Sequence, residues 1–214
     1  YNQMVDSALE DGLMEGIENS DGAYPEVNEE TALMEFKKSL LKCFDVSEES
    51  DGGRRLMDCL KCTLIIQNRY VSVYYGGCYR KFEYETQVNG WDIRFYLDGE
   101  ICARNKKNGE MMTGDEKTVR GRIGYWEGYT EGQGSDWMSK TVSGCIDTAM
   151  EQALRERTQA GSGYSVNFPI VEEDWCHSIT GVSMISFFDC GTWFLDGESY
   201  ARYFLSGARV VHTE

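Results

Sequence analysis

Hydrophobic positions along this chain follow two rhythms. Leu33, Phe36, Leu40 and Leu41 recur at helical spacing, with Lys37, Lys38 and Lys42 toward the end of the run. They predict a helix from about Thr31, closed by the polar stretch SEESDGG at 47–53. Leu56, Leu60 and Leu64 continue the spacing and predict a second short helix from Arg54 to about Ile66. Upstream, Met4, Leu9, Leu13 and Ile17 fit either an amphipathic helix or a loosely attached acidic arm over residues 1–30.

From Tyr70 the rhythm changes to alternation. Tyr70–Tyr75 and Tyr79–Val88 are rich in β-branched and aromatic residues. Asn89-Gly90, Asp98-Gly99 and Asn108-Gly109 then punctuate the chain. Such dipeptides favour tight hairpin turns, because type I′ turns need positive φ at both central residues. The stretch therefore predicts an antiparallel meander, with Trp91, Ile93, Phe95 and Leu97 inward and Asp92, Arg94 and Tyr96 outward. Gly121–Met138 reads as strand end plus loop. Val142, Cys145, Ile146, Ala149 and Ala153 predict a helix over Lys140–Arg157. Strands follow at about Tyr164–Val171, Val182–Phe188, Thr192–Leu195 and Glu198–Leu205, before a basic-apolar tail at Arg209–Val211.

One segment returns. FYLDGEICAR, Phe95 to Arg104, reappears as WFLDGESYAR, Trp193 to Arg202, with six of ten positions identical. Cys43 and Cys145 precede the two copies at similar distances. The expected fold is α+β: antiparallel β-meander sheets packed with a few helices, as two pseudo-repeated units stabilised by disulfides. The expected organisation is an acidic N-terminal arm at 1–30, a first unit at 31–125 and a second at 126–214.

Charge narrows the function. The net charge is −15, and residues 1–53 hold 14 acidic against three basic side chains. A nucleic-acid binder needs the opposite sign to displace phosphate counterions, so nucleic acid is set aside. No apolar run approaches the ~20 residues that span a bilayer as a helix, so no transmembrane segment is expected. Eight cysteines, Cys43, Cys59, Cys62, Cys78, Cys102, Cys145, Cys176 and Cys190, are dense for this length. They point to disulfides and to an extracellular or lumenal, oxidising compartment.

Candidate chemistry is sparse. Asp98-Gly99-Glu100 and Asp196-Gly197-Glu198 lack the spacing of a calcium loop and read as turns. Cys59-Leu-Lys-Cys62 is a C-x-x-C, open to a redox dithiol, a zinc half-site or two half-cystines with different distant partners. Cys176-His177 would supply a nucleophile and a base, although catalytic partners are usually distant in sequence. No metal site or cofactor is expected. Tyr125, Trp126, Tyr129 and Trp137 crowd a glycine-rich segment and are the candidate binding residues, since exposed aromatic rings favour protein and sugar contacts.

DC-x-x-C-L followed by GGCYRKFEY resembles the cysteine-rich ginkbilobin-type extracellular domain of plants over about 40 residues. The family's C-x8-C-x2-C spacing is replaced here by Cys43-x15-Cys59-x2-Cys62, so no function is carried over. The favoured function is a non-enzymatic structural or assembly protein of an extracellular or lumenal structure, with self-association or another protein as partner. A secreted glycan- or protein-binding module is the alternative, and a hydrolase without a recognisable motif the second.

Overall fold

The computed structural model describes residues 2–19, 24–124, 134–158, 182–195 and 198–209. The chain begins with helix α1 (Asn2–Gly16) and a two-stranded ribbon, β1 (Ile17–Asn19) with β2 (Glu26–Val27). Helices α2 (Glu29–Cys43) and α3 (Asp51–Cys59) follow. Six strands come next: β3 (Leu60–Ile66), β4 (Tyr70–Tyr75), β5 (Cys78–Glu83), β6 (Glu85–Val88), β7 (Trp91–Phe95) and β8 (Ile101–Asn105). Strand β9 (Met111–Gly114), helices α4 (Glu116–Ile123) and α5 (Gly134–Thr158), and strands β10 (Ser183–Leu195) and β11 (Glu198–Arg209) complete the order.

The coarse class is α+β. The larger sheet has the order β11-β10-β3-β4-β5, antiparallel throughout, and the meander β6-β7-β8-β9 forms a second sheet. Strands from late in the chain thus join a sheet begun by β3, β4 and β5. One face of the larger sheet carries Leu64, Val71 and Val73 against Ile146, Met150 and Ala153 of α5 and Ile93 and Phe95 of the meander. The other face carries Ile65, Met184 and Phe188 against Leu9 and Leu13 of α1 and Phe36 and Leu40 of α2.

Burial on both faces explains the run expected as helix at 54–66. Only its first half is helical; Leu60–Ile66 is the strand β3, buried at six of seven positions. A doubly covered strand shows a continuous apolar run, which spacing alone does not separate from a helix. The acidic start is likewise a packed element. Val5, Ala8, Leu9 and Leu13 of α1 are buried. A Cβ on Gly12 would lie 2.6 Å from the Ala32 carbonyl oxygen and 2.8 Å from the Phe36 nitrogen, so glycine is what lets α1 approach the α2 backbone.

Helix α2 forms where expected. Its Asn28 cap accepts from the Thr31 N–H at 3.0 Å, which satisfies one of the helix's orphan donors. Helix α4 occupies part of the segment expected as strand end, capped by Asp115, whose side chain accepts from the Thr118 N–H. Val182–Phe188 and Thr192–Leu195 belong to one long strand, β10, whose register shifts between Asp189 and Thr192; Gly191 takes φ 79° within that shift. The expected strand at 164–171 lies outside the described residues.

The repeated segment makes two different hairpins. In the first copy Phe95 opposes Ile101, leaving five residues, 96–100, in the loop. Asn68 holds that loop: its carbonyl accepts from Leu97 N–H, and its side chain exchanges hydrogen bonds with Asp98. In the second copy Trp193 opposes Tyr200 and Leu195 opposes Glu198. Matching the first register would have placed Trp193 opposite Ser199. The copies therefore differ by a slip of one residue, which exchanges the faces presented by one strand relative to the other. Asn89-Gly90 does form the expected two-residue turn, with φ 48° and 80° between paired Val88 and Trp91.

Candidate interaction groove

Helix α2 lies over β4 and β5 and presents its buried face to the sheet. Its outer flank carries Lys37, Lys38 and Lys42, which are all three basic residues of the acidic first 53. Together with α3 and the β4–β5 hairpin, that flank encloses a groove of about 910 Å³. Tyr74 and Tyr79 line it from the sheet, Met34 and Leu41 from the helix, and Met57 from α3. Met34 is 58% exposed and Tyr79 40%. A smaller hollow of about 250 Å³ continues it past Lys61 and Tyr75.

Each lysine has a distinct environment. Lys37 Nζ donates to the Tyr74 hydroxyl at 3.1 Å and sits 4.3 Å from that ring's centroid, fixing the ammonium over the aromatic face. Lys38 reaches Glu35 one turn back at 3.0 Å, a surface pair of small energetic weight. Lys42 projects from the last turn of α2, where a positive charge complements the helix dipole.

At the α2 N-terminal end of the groove lies a polar cluster. Glu29 accepts from Ser72 Oγ at 2.7 Å and from Gln67 Nε2 at 2.8 Å, and Lys81 Nζ lies 3.3 Å away. Tyr79 and Ser72 place their hydroxyl oxygens 2.8 Å apart, and Lys81 donates to Tyr70 at 3.0 Å. Burial works against the Glu29 charge, but hydrogen bonds from Tyr79 and Ser72 and the Lys81 ammonium outweigh it and hold the carboxyl below its ordinary value. Burial likewise opposes the Lys81 charge, yet the Tyr70 hydroxyl and Glu29 raise it above its ordinary value. Burial and the hydrogen bond to Glu29 push Tyr79 up. All three groups therefore move away from neutrality. Glu29 and Lys81 are therefore both charged at neutral pH, and Tyr79 keeps its proton.

The opposite flank of the helical layer differs. There α1 packs over β10 and β11, and its outward positions include Glu10, Asp11 and Glu15 around Met14, which is 58% exposed. Strands β11 and β5 are the two ends of the larger sheet. The acidic flank thus lies toward one sheet edge and the lysine groove toward the other.

Of the residues singled out from sequence, Tyr125, Trp126 and Tyr129 lie outside the described residues, and Trp137 falls within the span of α5. Cys176 and His177 also lie outside them. Asp98 is a turn residue: besides its bonds to Asn68, its Oδ1 accepts from Glu100 N–H at 2.9 Å, and Gly99 takes φ +90°. The C-x-x-C does not have the position of a redox dithiol. Cys59 is the last residue of α3, whereas a redox dithiol sits at a helix N-terminus. Cys62 faces the other side of the sheet, where burial pushes its thiol up to about 12. No group of potential metal ligands occurs among the described residues. Cys43, Cys59, Cys62, Cys78, Cys102, Cys145 and Cys190 are free thiols in this structure. No described helix is long and apolar enough to cross a membrane.

The groove itself was missed in the sequence. Its signal was present as three lysines on one helix flank inside an otherwise acidic stretch. No family model, characterised protein or solved structure matches the chain.

Proposed function

We propose that this is a non-enzymatic assembly protein of an extracellular or lumenal structure, built by head-to-tail contact between copies of the chain. The acidic outer face of α1 in one copy, centred on Met14, docks in the lysine-flanked groove beside α2 in the next. The observation that carries this is the segregation of charge across the α1–α2 layer. The groove gathers every cation of the first 53 residues, beside Glu29, Glu30 and Glu48, whereas the opposite flank carries acidic side chains alone, each with an exposed methionine at its centre. Two different patches on opposite flanks make a heterologous contact, which closes into a ring or continues as a filament. The Glu29–Lys81 cluster supports a non-catalytic groove, since its groups keep fixed charge around neutral pH.

Sedimentation velocity of the full chain over a range of concentrations tests the proposal. The expected result is oligomers that grow with concentration and dissociate as salt is raised, because exposed charges are screened beyond about 8 Å at physiological ionic strength. A strict monomer at high concentration and low salt contradicts it. Capture of an acidic peptide or a glycan by such a monomer would assign the groove to a different occupant.

A further inference from the structure

Cys59 and Cys190 are far apart in sequence and adjacent in space. Cys59 is the last residue of α3, immediately before β3. Cys190 lies in β10, two residues beyond Phe188, which pairs with Leu60. Both side chains pack against the same apolar cluster on the α1–α2 face. The Cys59 side chain is close enough to act directly on the Cys190 thiol. Cys62, by contrast, points through the sheet toward α5, so the C-x-x-C is split between two faces and only its first sulfur meets Cys190.

We infer that Cys59 and Cys190 form a disulfide, a covalent clasp between the α3–β3 corner and the irregular part of β10. The oxidant is a small-molecule disulfide such as oxidised glutathione. One cysteine, as thiolate, attacks a sulfur of the reagent, forming a mixed disulfide and expelling one thiolate. The second cysteine, as thiolate, attacks the protein sulfur of that mixed disulfide and expels the other. The protein loses two electrons and two protons, and the reagent gains them as two thiols. The bond crosses between elements that are contiguous only in the fold, and it closes a long loop, the case in which a disulfide most constrains the unfolded chain. The position of the cysteine pair is independent of the groove and of the assembly proposed for it.

Burial, the Cys59 thiol and the Asp189 carboxylate, against a smaller effect of Lys61, push the Cys190 thiol up to about 12. The folded Cys190 thiol is therefore slow to react at neutral pH, and trapping is done with N-ethylmaleimide in denaturant. The full chain is refolded with oxidised glutathione, trapped and digested. Trypsin cuts after Arg55 and Lys61, separating Cys59 from Cys62, and chymotrypsin cuts after Trp175, Phe188 and Trp193, separating Cys176 from Cys190.

The expected product is LMDCLK joined to DCGTW, lighter by two hydrogens than the two peptides and abolished by dithiothreitol. Both cysteines fully alkylated, or either linked elsewhere, overturns the assignment. Cys59→Ser and Cys190→Ser should each lower the melting temperature by roughly 10 °C without reductant. The double variant should fall no further, and the difference should vanish in reductant. Single variants that melt like the unaltered chain without reductant also overturn it.

Discussion

The two flanks of the α1–α2 layer come from one short stretch of chain and have opposite characters. On α1 the outward positions are carboxylates around an exposed methionine. On α2 they include Lys38 and Lys42 together with Glu30 and Met34, bordering a tyrosine-lined groove. The inward faces are alike, both apolar and both packed on Ile65, Met184 and Phe188. Folding thus constrains the inner faces to resemble each other and leaves the outer faces free to diverge. Divergence of sign on opposite flanks is what a directional contact between copies requires.

The seam between the flanks is the most sensitive place to disturb them. Gly12→Val would drive a side chain into the α2 backbone at Ala32 and Phe36. It should cost roughly 3 kcal/mol or more, since neither partner is a side-chain end that can swing away. Urea unfolding measures this, and the variant should lose both patches together.

A smaller loss falls on the α2 flank alone. Glu29→Ala leaves Lys81, Gln67 and Ser72 without their shared acceptor. A destabilisation of about 2 kcal/mol is expected for breaking a half-buried charged network. Chemical denaturation reads the stability, and tyrosine fluorescence of the groove should change while α1 stays folded.

Acid sharpens the same contrast. The folded Glu29 carboxyl lies below its ordinary value of 4.5, so its stabilisation is present above that pH and lost as pH falls through the folded value. Lys81 lies above its ordinary 10.5, so its contribution is present below that pH and lost as pH rises through the folded value. Thermal melts should therefore show a plateau between about 4.5 and 10.5 from this pair. Glu29→Ala should flatten the acid limb.

Sequence rhythm made α2, α5 and the meander legible, because each has one covered face, and β4 was legible from its β-branched and aromatic residues. It misassigned β3, which is covered on two, and it missed α4, whose charged residues and Gly121 leave few apolar positions at helical spacing. The repeated LDGE segment was visible as letters, but not its two registers. Those are set by what lies nearby: Asn68 grips the first loop, and no local letter encodes that meeting. The groove stayed hidden for a related reason. Lys37 and Tyr74, or Glu29 and Lys81, meet only when α2 is laid across β4 and β5.

Charge reversal on the outer faces should disturb stability least. Lys38→Glu with Lys42→Glu is expected to cost under about 1 kcal/mol, from a surface pair and a helix-end charge. Glu10→Lys with Glu15→Lys should cost no more. Each double variant alone should sediment as a monomer where the unaltered chain associates.

Mixing these two variants is the most direct measurement of the proposed contact. The reversed α1 face of one then meets the reversed groove of the other, and sedimentation velocity of the mixture should recover alternating oligomers that neither variant forms alone. Growth should continue beyond two, because the unaltered acidic face of one variant and the unaltered lysine groove of the other remain complementary. A mixture that stays monomeric, or single variants that associate like the unaltered chain, would contradict head-to-tail docking of α1 into the α2 groove.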